Sequence, residues 1–362
     1  MALHALRAGL LAELVAEFVA EYVAEFVAVG LLCLVLPALA APQALLVGVS
    51  GYPTLPEARR LRGPRNDVPL MRDALQRAGM PPEGIVLLAD GVPGSAGLPT
   101  RSAILAALAA LAAGAGSGDW VVVYFSGHGS QQPQPPVPPG SGRYVEPDGL
   151  DEIFLPYDIG RWDGRIGTVQ GALLDDEIGD ALAAISARGA RVWAIFDTCH
   201  AGDMARAWHG AQPGRTHRAV PPQALGVPAG RAVRPPGPRS AAAPPPAGGR
   251  VVFYASHPDE PAAEEPLPPP GGAPNAALKV YGYFTWLIAQ ELGRQAGQPA
   301  ATLAALAERV AQRYASRPYP TPLFEGDLNQ VPDFFSRRAL TNAVPPVPGL
   351  QAQPRASATP AP

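Results

Sequence analysis

The sequence predicts an α/β fold with a mostly parallel central sheet covered by helices on both faces. Three observations carry this. Short continuous apolar runs recur at 43–50, 84–90, 119–129 and 191–197, as buried strands do. Segments with apolar residues at helical spacing separate them. The chain also has 362 residues, 47% of them hydrophobic, enough to bury a sizeable core.

Each element has its own reason. "QALLVGVS" (43–50) is an apolar run with Gly and Pro close behind it. "NDVPLMRDALQRAG" (66–79) has helical spacing and a glycine stop. "GIVLLAD" (84–90) is a second strand, and "TRSAILAALAALAAG" (100–114) is an alanine-rich helix opening on a capping threonine. "DWVVVYFSGHG" (119–129) is a third strand running into a Gly-His-Gly loop. "DEIFLPYD" (151–158) holds a short strand. "LLDDEIGDALAAI" (173–185) is a helix with acids in its first turn, where the helix dipole favours them. "RVWAIFD" (191–197) is the fourth buried strand and "RVVFYASHPDE" (250–260) the fifth. Two amphipathic helices follow at 281–293 and 302–316.

Between these lie segments of a different kind. Residues 209–249 are rich in Pro, Ala, Gly and Arg, so this stretch is expected to be a disordered linker. Residues 131–142 and 266–274 read as smaller Pro/Gly loops, and 341–362 as a low-complexity tail. The expected organisation is therefore a leader (1–42), a large part (43–208), the linker (209–249), and a second part of the same domain (250–340) before the tail.

The leader carries Glu13, Glu17, Glu21 and Glu25 at a helical interval, then an uncharged apolar stretch from Ala28 to Pro42. Its end, with the small residues Ala38 to Ala40, suits an export signal, which would make the mature protein periplasmic or extracellular. The acidic flank departs from that pattern. The competing reading is a retained amphipathic helix on the domain or on a membrane surface, with the protein then cytoplasmic. Any membrane contact is expected through this segment alone.

Composition narrows the function. A net charge of -3 gives no footprint for a nucleic-acid partner. Two cysteines, Cys33 and Cys199, exclude a disulfide-rich scaffold. In parallel sheets ligands bind beyond the carboxyl ends of the strands. His128 follows the third strand and Cys199 the fourth. A thiol beside a base that can ionise it is a nucleophile. Gly127 and Gly129 leave the imidazole accessible, and amides of such a turn can stabilise an oxyanion. His200 is adjacent to Cys199 and would face the opposite way on an extended strand, so it is not the expected base. A metal site built from His128, Cys199 and His200 matches no usual zinc spacing.

"YFSGHGSQ", "FDTCHAGD", "LRGPRNDV" and "DEIFLPYD" together resemble the caspase-like cysteine peptidases, most closely metacaspases and bacterial caspase-family proteins. The histidine loop precedes the cysteine loop, as in that family. "VVFYASHPDEPAAEE" and "YGYFTWLIAQEL" are similar to its small-subunit strand and helix, so the resemblance spans about residues 43–333. It implies a caspase-like three-layer αβα sandwich and a cysteine endopeptidase acting on protein or peptide substrates as a monomer. Cys199 would attack the carbonyl, and His128 would serve as base and acid. The amides of Gly129 and Cys199 would form the oxyanion hole. Asp67, Ser126 and Asp197 would bind an Arg or Lys before the cut bond. Pro64 stands where many metacaspases carry a cysteine. Calcium is not required on this reading but is open. Asp151, Asp175 and Asp176 match three family ligands, whereas Arg206 stands at the fourth. Self-cleavage at linker arginines, among them Arg206, Arg215, Arg218, Arg231 and Arg234, also follows. The alternative is a non-catalytic caspase-like module that binds partners through its Pro-rich segments.

Overall fold

The computed structural model describes residues 43–136, 145–146, 149–199, 215–228, 249–257, 260–273, 275–295, 302–315 and 320–335. The leader, His200, Asp203, Arg206, Arg231 and Arg234 lie outside the described residues.

The elements in chain order are β1 (Gln43–Gly48), α1 (Pro64–Arg77), β2 (Ile85–Ala89), α2 (Arg101–Gly114) and β3 (Trp120–Ser126). β4 (Gly129–Pro133), β5 (Leu150–Phe154), β6 (Trp162–Asp163), β7 (Thr168–Val169) and β8 (Leu173–Leu174) follow. Then come α3 (Asp175–Ala187), β9 (Arg191–Asp197), β10 (Thr216–His217), β11 (Arg250–Tyr254), β12 (Ala263–Leu267) and β13 (Lys279–Gly282). α4 (Tyr283–Gln295), α5 (Leu303–Ala315) and β14 (Leu323–Gly326) complete the chain.

The central sheet has six strands in the order β14-β11-β9-β3-β1-β2. All neighbours are parallel except β14, which closes the edge antiparallel to β11. The expected mostly parallel α/β sheet is present. Strand side chains alternate between two apolar clusters, as a pleated sheet covered on both faces requires. Leu46, Val122, Tyr124, Trp193 and Ile195 share one cluster with Val68 and Met71 of α1, Leu287 and Ile288 of α4, and Leu306 and Val310 of α5. Leu45, Val47, Val121, Val123, Ala194 and Phe196 share the other with Ile104 and Leu108 of α2 and Ile178 and Leu182 of α3. The result is three layers, αβα.

Local chemistry explains the helix starts. Pro64 opens α1, where its missing N–H costs nothing. The Thr100 hydroxyl accepts from the Ala103 N–H at the head of α2. Asp175, Asp176 and Glu177 fill the first turn of α3, and the Glu177 carboxylate accepts the Leu174 N–H at 3.1 Å.

The linker expectation needs correction. Within 209–249, residues 215–228 form β10, a 3-10 turn at Pro222–Leu225, and a strap with Arg218, Val220 and Leu225 fully buried. Few apolar residues suffice here because the anchor is a charged side chain that finds partners. Residues 131–133, expected as loop, form the end of β4 instead. β12, β13 and β14 carry no clear strand signature in the sequence, because they are short and interrupted by proline or glycine, and β12 takes in residues 266–267, expected as loop.

Candidate active site

The register of β3 and β9 sets Ser126 opposite Asp197, so the residues two further on, His128 and Cys199, leave adjacent strand ends side by side. A Cβ built on Gly129 would collide with the Cys199 carbonyl and lie 3.6 Å from the Cys199 nitrogen. The two loops are thus in backbone contact, and only glycine fits at 129.

His128 is held from three sides. Its N–H donates to the Tyr52 hydroxyl at 2.7 Å, and the two rings lie 4.9 Å apart. Its Nε2 lies 2.7 Å from the Arg59 carbonyl. Burial pushes the imidazole down from 6.5 to about 4, so the ring is neutral. A neutral ring facing a carbonyl carries its proton on Nε2, which leaves Nδ1 as the bare lone pair. Nδ1 is buried and has no hydrogen-bond partner among the described residues. Cys199 is 2% exposed, and its thiol donates to the Ala262 carbonyl at 3.4 Å. Burial pushes that thiol up to about 12, so the sulfur is protonated in this state.

The sequence-derived pocket residues do converge. Asp67 from α1, Ser126 from the end of β3 and Asp197 from the end of β9 are each buried. Into the space between them projects Arg218, with no exposed side-chain surface. Arg218 Nη2 donates to Asp67 Oδ2 at 2.5 Å, and Nη1 to Ser126 Oγ at 2.9 Å and the Asp197 carbonyl at 2.7 Å. Asp197 Oδ1 lies 3.2 Å from Nη1, and Glu264 Oε2 lies 3.6 Å from Nη2. The Ser126 hydroxyl donates onward to Asp67 at 2.9 Å. Burial raises the Asp197 and Glu264 carboxyls, while the guanidinium opposes that rise. The cluster of acids in turn holds Arg218 firmly charged.

Backbone donors hold the acids in place. Asp67 Oδ1 accepts the Gly282 N–H at 2.9 Å, and Asp197 Oδ2 accepts the Thr285 N–H at 3.0 Å and its hydroxyl at 2.5 Å. Glu264 accepts the N–H groups of Arg62 and Gly63 at 2.8 and 2.9 Å. Two glycines make the walls. A Cβ on Gly63 would sit 2.5 Å from Arg218 Nη2, and one on Gly282 would collide with Asp197 and lie 2.7 Å from Nη2.

The strap carrying Arg218 is held by its backbone. Thr216 and His217 pair antiparallel with Glu264 and Ala263 of β12, and the Arg218 N–H donates to the Ala262 carbonyl at 2.9 Å. On the opposite side, the Gly129 N–H donates to the Arg218 carbonyl at 2.9 Å, and the Val220 N–H donates to the Gly129 carbonyl at 3.0 Å. The amide of Gly129, which follows His128 and packs on the Cys199 backbone, is therefore aimed at the Arg218 carbonyl oxygen.

The acids considered for a cation fall elsewhere. Carboxylate oxygens of Glu146, Glu152 and Asp175, all half-buried, lie within 4.8 Å of one another. Asp175 is thus part of a cluster, but its companions are the two glutamates, not Asp151 and Asp176. Asp151 is buried. Three converging carboxylates suit an oxygen-seeking cation such as calcium. β5 and β8, which bear or adjoin these acids, pair in the small sheet that begins at Gly129.

Sequence reasoning overlooked the Arg59 carbonyl, Tyr52, Gly63, Glu264, Gly282 and Thr285. The consecutive acids Glu264 and Glu265 in an alanine- and proline-rich stretch were the available signal. The backbone contacts had none, because a carbonyl or an N–H leaves no trace in residue identity.

A three-layer α/β sandwich with a buried cysteine and histidine on adjacent strand ends beside an acid-lined pocket is the arrangement of a caspase-like protein. Residues 42–207 match the family model described as "Metacaspase, peptidase C14 domain". Metacaspase-1 of Lodderomyces elongisporus is 35% identical over 162 residues, 45% of this chain and 33% of that protein. A protein named inactive metacaspase-4, from Trypanosoma brucei brucei, is 33% identical over 166 residues, 45% of this chain and 42% of its own length. The chain thus spans less than half the length of these curated relatives. A crystal structure of a Geobacter sulfurreducens protein superposes with a TM-score of 0.53 at 18% identity, covering 82% of this chain and 96% of that one, a likeness of fold. Over residues 42–207 the chain is thus similar to the metacaspases, as the motifs implied.

Proposed function

We propose that this protein is a cysteine endopeptidase that cuts after Arg and processes its own strap between Arg218 and Ala219. The observation that carries the reading is Arg218 itself. Its guanidinium is bound by Asp67, Ser126 and Asp197 while its carbonyl accepts from Gly129, as a bound substrate's would.

The chemistry follows from the atoms present. The Cys199 thiol proton passes to Nδ1 of His128 as sulfur attacks the Arg218 carbonyl carbon. The charge that develops on oxygen faces the Gly129 N–H. The bond to nitrogen breaks, and the imidazolium returns the proton to the Ala219 amine. Water then hydrolyses the thioester, releasing the Arg218 carboxylate and restoring the thiol. Arg59 holds His128 in the tautomer this needs. Lys reaches the same acids but cannot form the forked contact, so Arg is preferred.

With the strap in place the thiol is protonated and covered, so the uncut chain is self-occluded. Calcium, where used, would be held by Glu146, Glu152 and Asp175, next to the sheet that carries Gly129. The test is a gel of wild type and Cys199→Ala, each with and without calcium. Wild type is expected to yield two fragments joined at Arg218–Ala219 in the intact chain, with Cys199→Ala whole in every lane. Identical lanes for both proteins favour the non-catalytic module.

A further inference from the structure

The strap is bound along its length, and its contacts beyond Arg218 define further subsites. Arg215, the fourth residue before the proposed cut, pairs through Nε with Glu265 Oε2 at 3.1 Å, and the two side chains are only 14% and 12% exposed. This pair lies on the opposite face of the strap from the Arg218 pocket, since Thr216 faces Glu264 and His217 faces Ala263 in the ladder. Glu265 is therefore a second acid, separate from the group around Arg218.

Past the cut, Val220 is fully buried in the apolar cluster that contains Ile153, Phe154 and Leu155. Its carbonyl accepts from the Ser130 hydroxyl at 2.6 Å and its N–H donates to Gly129. Ala219, between Arg218 and Val220, is a small residue whose side chain is almost covered, at 8% exposed.

Resting on the peptidase reading above, we infer that this site takes a specific class of substrate: an extended segment with a first Arg held by Glu265, any two residues, a second Arg at the cut, then a small residue and an apolar one. Glu265 is the specificity-determining residue for the first cation, and the slot that holds Val220 selects the apolar residue. A charge-assisted, largely desolvated Arg–carboxylate contact discriminates against an uncharged replacement by about tenfold.

The experiment uses the full-length, self-processed chain and internally quenched peptides. The reference peptide is Arg-Thr-His-Arg-Ala-Val. Three others replace the first Arg by Gln, the second Arg by Gln, or Val by Asp. The expected kcat/KM falls about tenfold for the first-position Gln peptide, falls at least tenfold for the Asp peptide, and vanishes for the second-position Gln peptide. In Glu265→Gln the first-position preference drops to near unity, while the second Arg stays essential. In parallel, Arg215→Glu slows self-cleavage of the intact chain, and adding Glu265→Arg restores the rate. Equal cleavage of the first-position Arg and Gln peptides by wild type, or a preference that survives in Glu265→Gln, overturns the inference while leaving the peptidase reading intact. No cleavage of any peptide or of the strap overturns both.

Discussion

At the scale of single residues, the site depends on a few isosteric details. Asp67 both binds the Arg218 guanidinium and accepts the Gly282 N–H, using a different oxygen for each. Asp67→Asn keeps an oxygen for Gly282 but loses the charge. Cleavage of an Arg peptide by this variant is expected to drop about 100-fold, the scale of breaking a buried ion pair, and the melting midpoint of the uncut chain is expected to fall too, because Asp67 pairs with the buried Arg218. Steady-state kinetics beside calorimetry separates the two effects. Gly282→Ala is the steric counterpart, because its methyl group occupies the space of Asp197 and Arg218. His128 carries a pH prediction. Its folded value of about 4 lies below the ordinary 6.5, so the neutral ring contributes stability above about pH 6.5. That contribution, of order 3 kcal/mol, is lost as pH falls from about 6.5 toward 4. Urea unfolding of wild type and His128→Asn over this range should converge at the acid end. Parallel curves would show that the histidine is not buried in its neutral form.

At the scale of elements, the strap is the part that the proposed cut would free. β10 is two residues long and is kept in place by Arg218, by the bonds to Ala262 and Gly129, and by Val220 and Leu225 in the core. Removing the guanidinium removes the strongest anchor. Arg218→Gln is expected to release residues 215–220 from the cleft and to raise the rate of iodoacetamide labelling of Cys199 at least tenfold at neutral pH. A labelling rate equal to wild type would mean that the strap is held without its charge. Here the limits of sequence reading are physical. The strands at 43–48, 85–89, 120–126 and 191–197 were legible because a buried parallel strand is apolar throughout. His128, Cys199, Asp67, Ser126 and Asp197 were legible because their types and order match a known constellation. Residues 215–228 were not, because proline- and arginine-rich composition looks like a solvated linker when the partners of its arginine lie in α1, β3, β9 and β12.

At the scale of the whole molecule, the proposed cut falls inside one compact body, since the described residues on both sides of it belong to a single unit. β11 lies between β9 and β14 in the central sheet, so the segments before and after Arg218 share one hydrogen-bonded ladder. Val251 and Phe253 of β11 also lie in the same apolar cluster as Trp193 and Ile195 of β9. Cleavage should therefore leave a two-chain protein that elutes as one species in size-exclusion chromatography and separates only on a denaturing gel. Fragments that part under native conditions would show that the sheet does not outlast the cut.

The sequence by itself determined the αβα class, the strand ends that carry His128 and Cys199, and two of the acids that line the pocket, Asp67 and Asp197. These follow from short-range periodicity and from residue chemistry repeated in a known order. Only the tertiary structure decided what fills that pocket. Choosing Arg218 over the other linker arginines required knowing where three distant acids, Asp67, Asp197 and Glu264, converge. That convergence comes from the packing of α1, β9 and β12 against one another, and no local pattern encodes it.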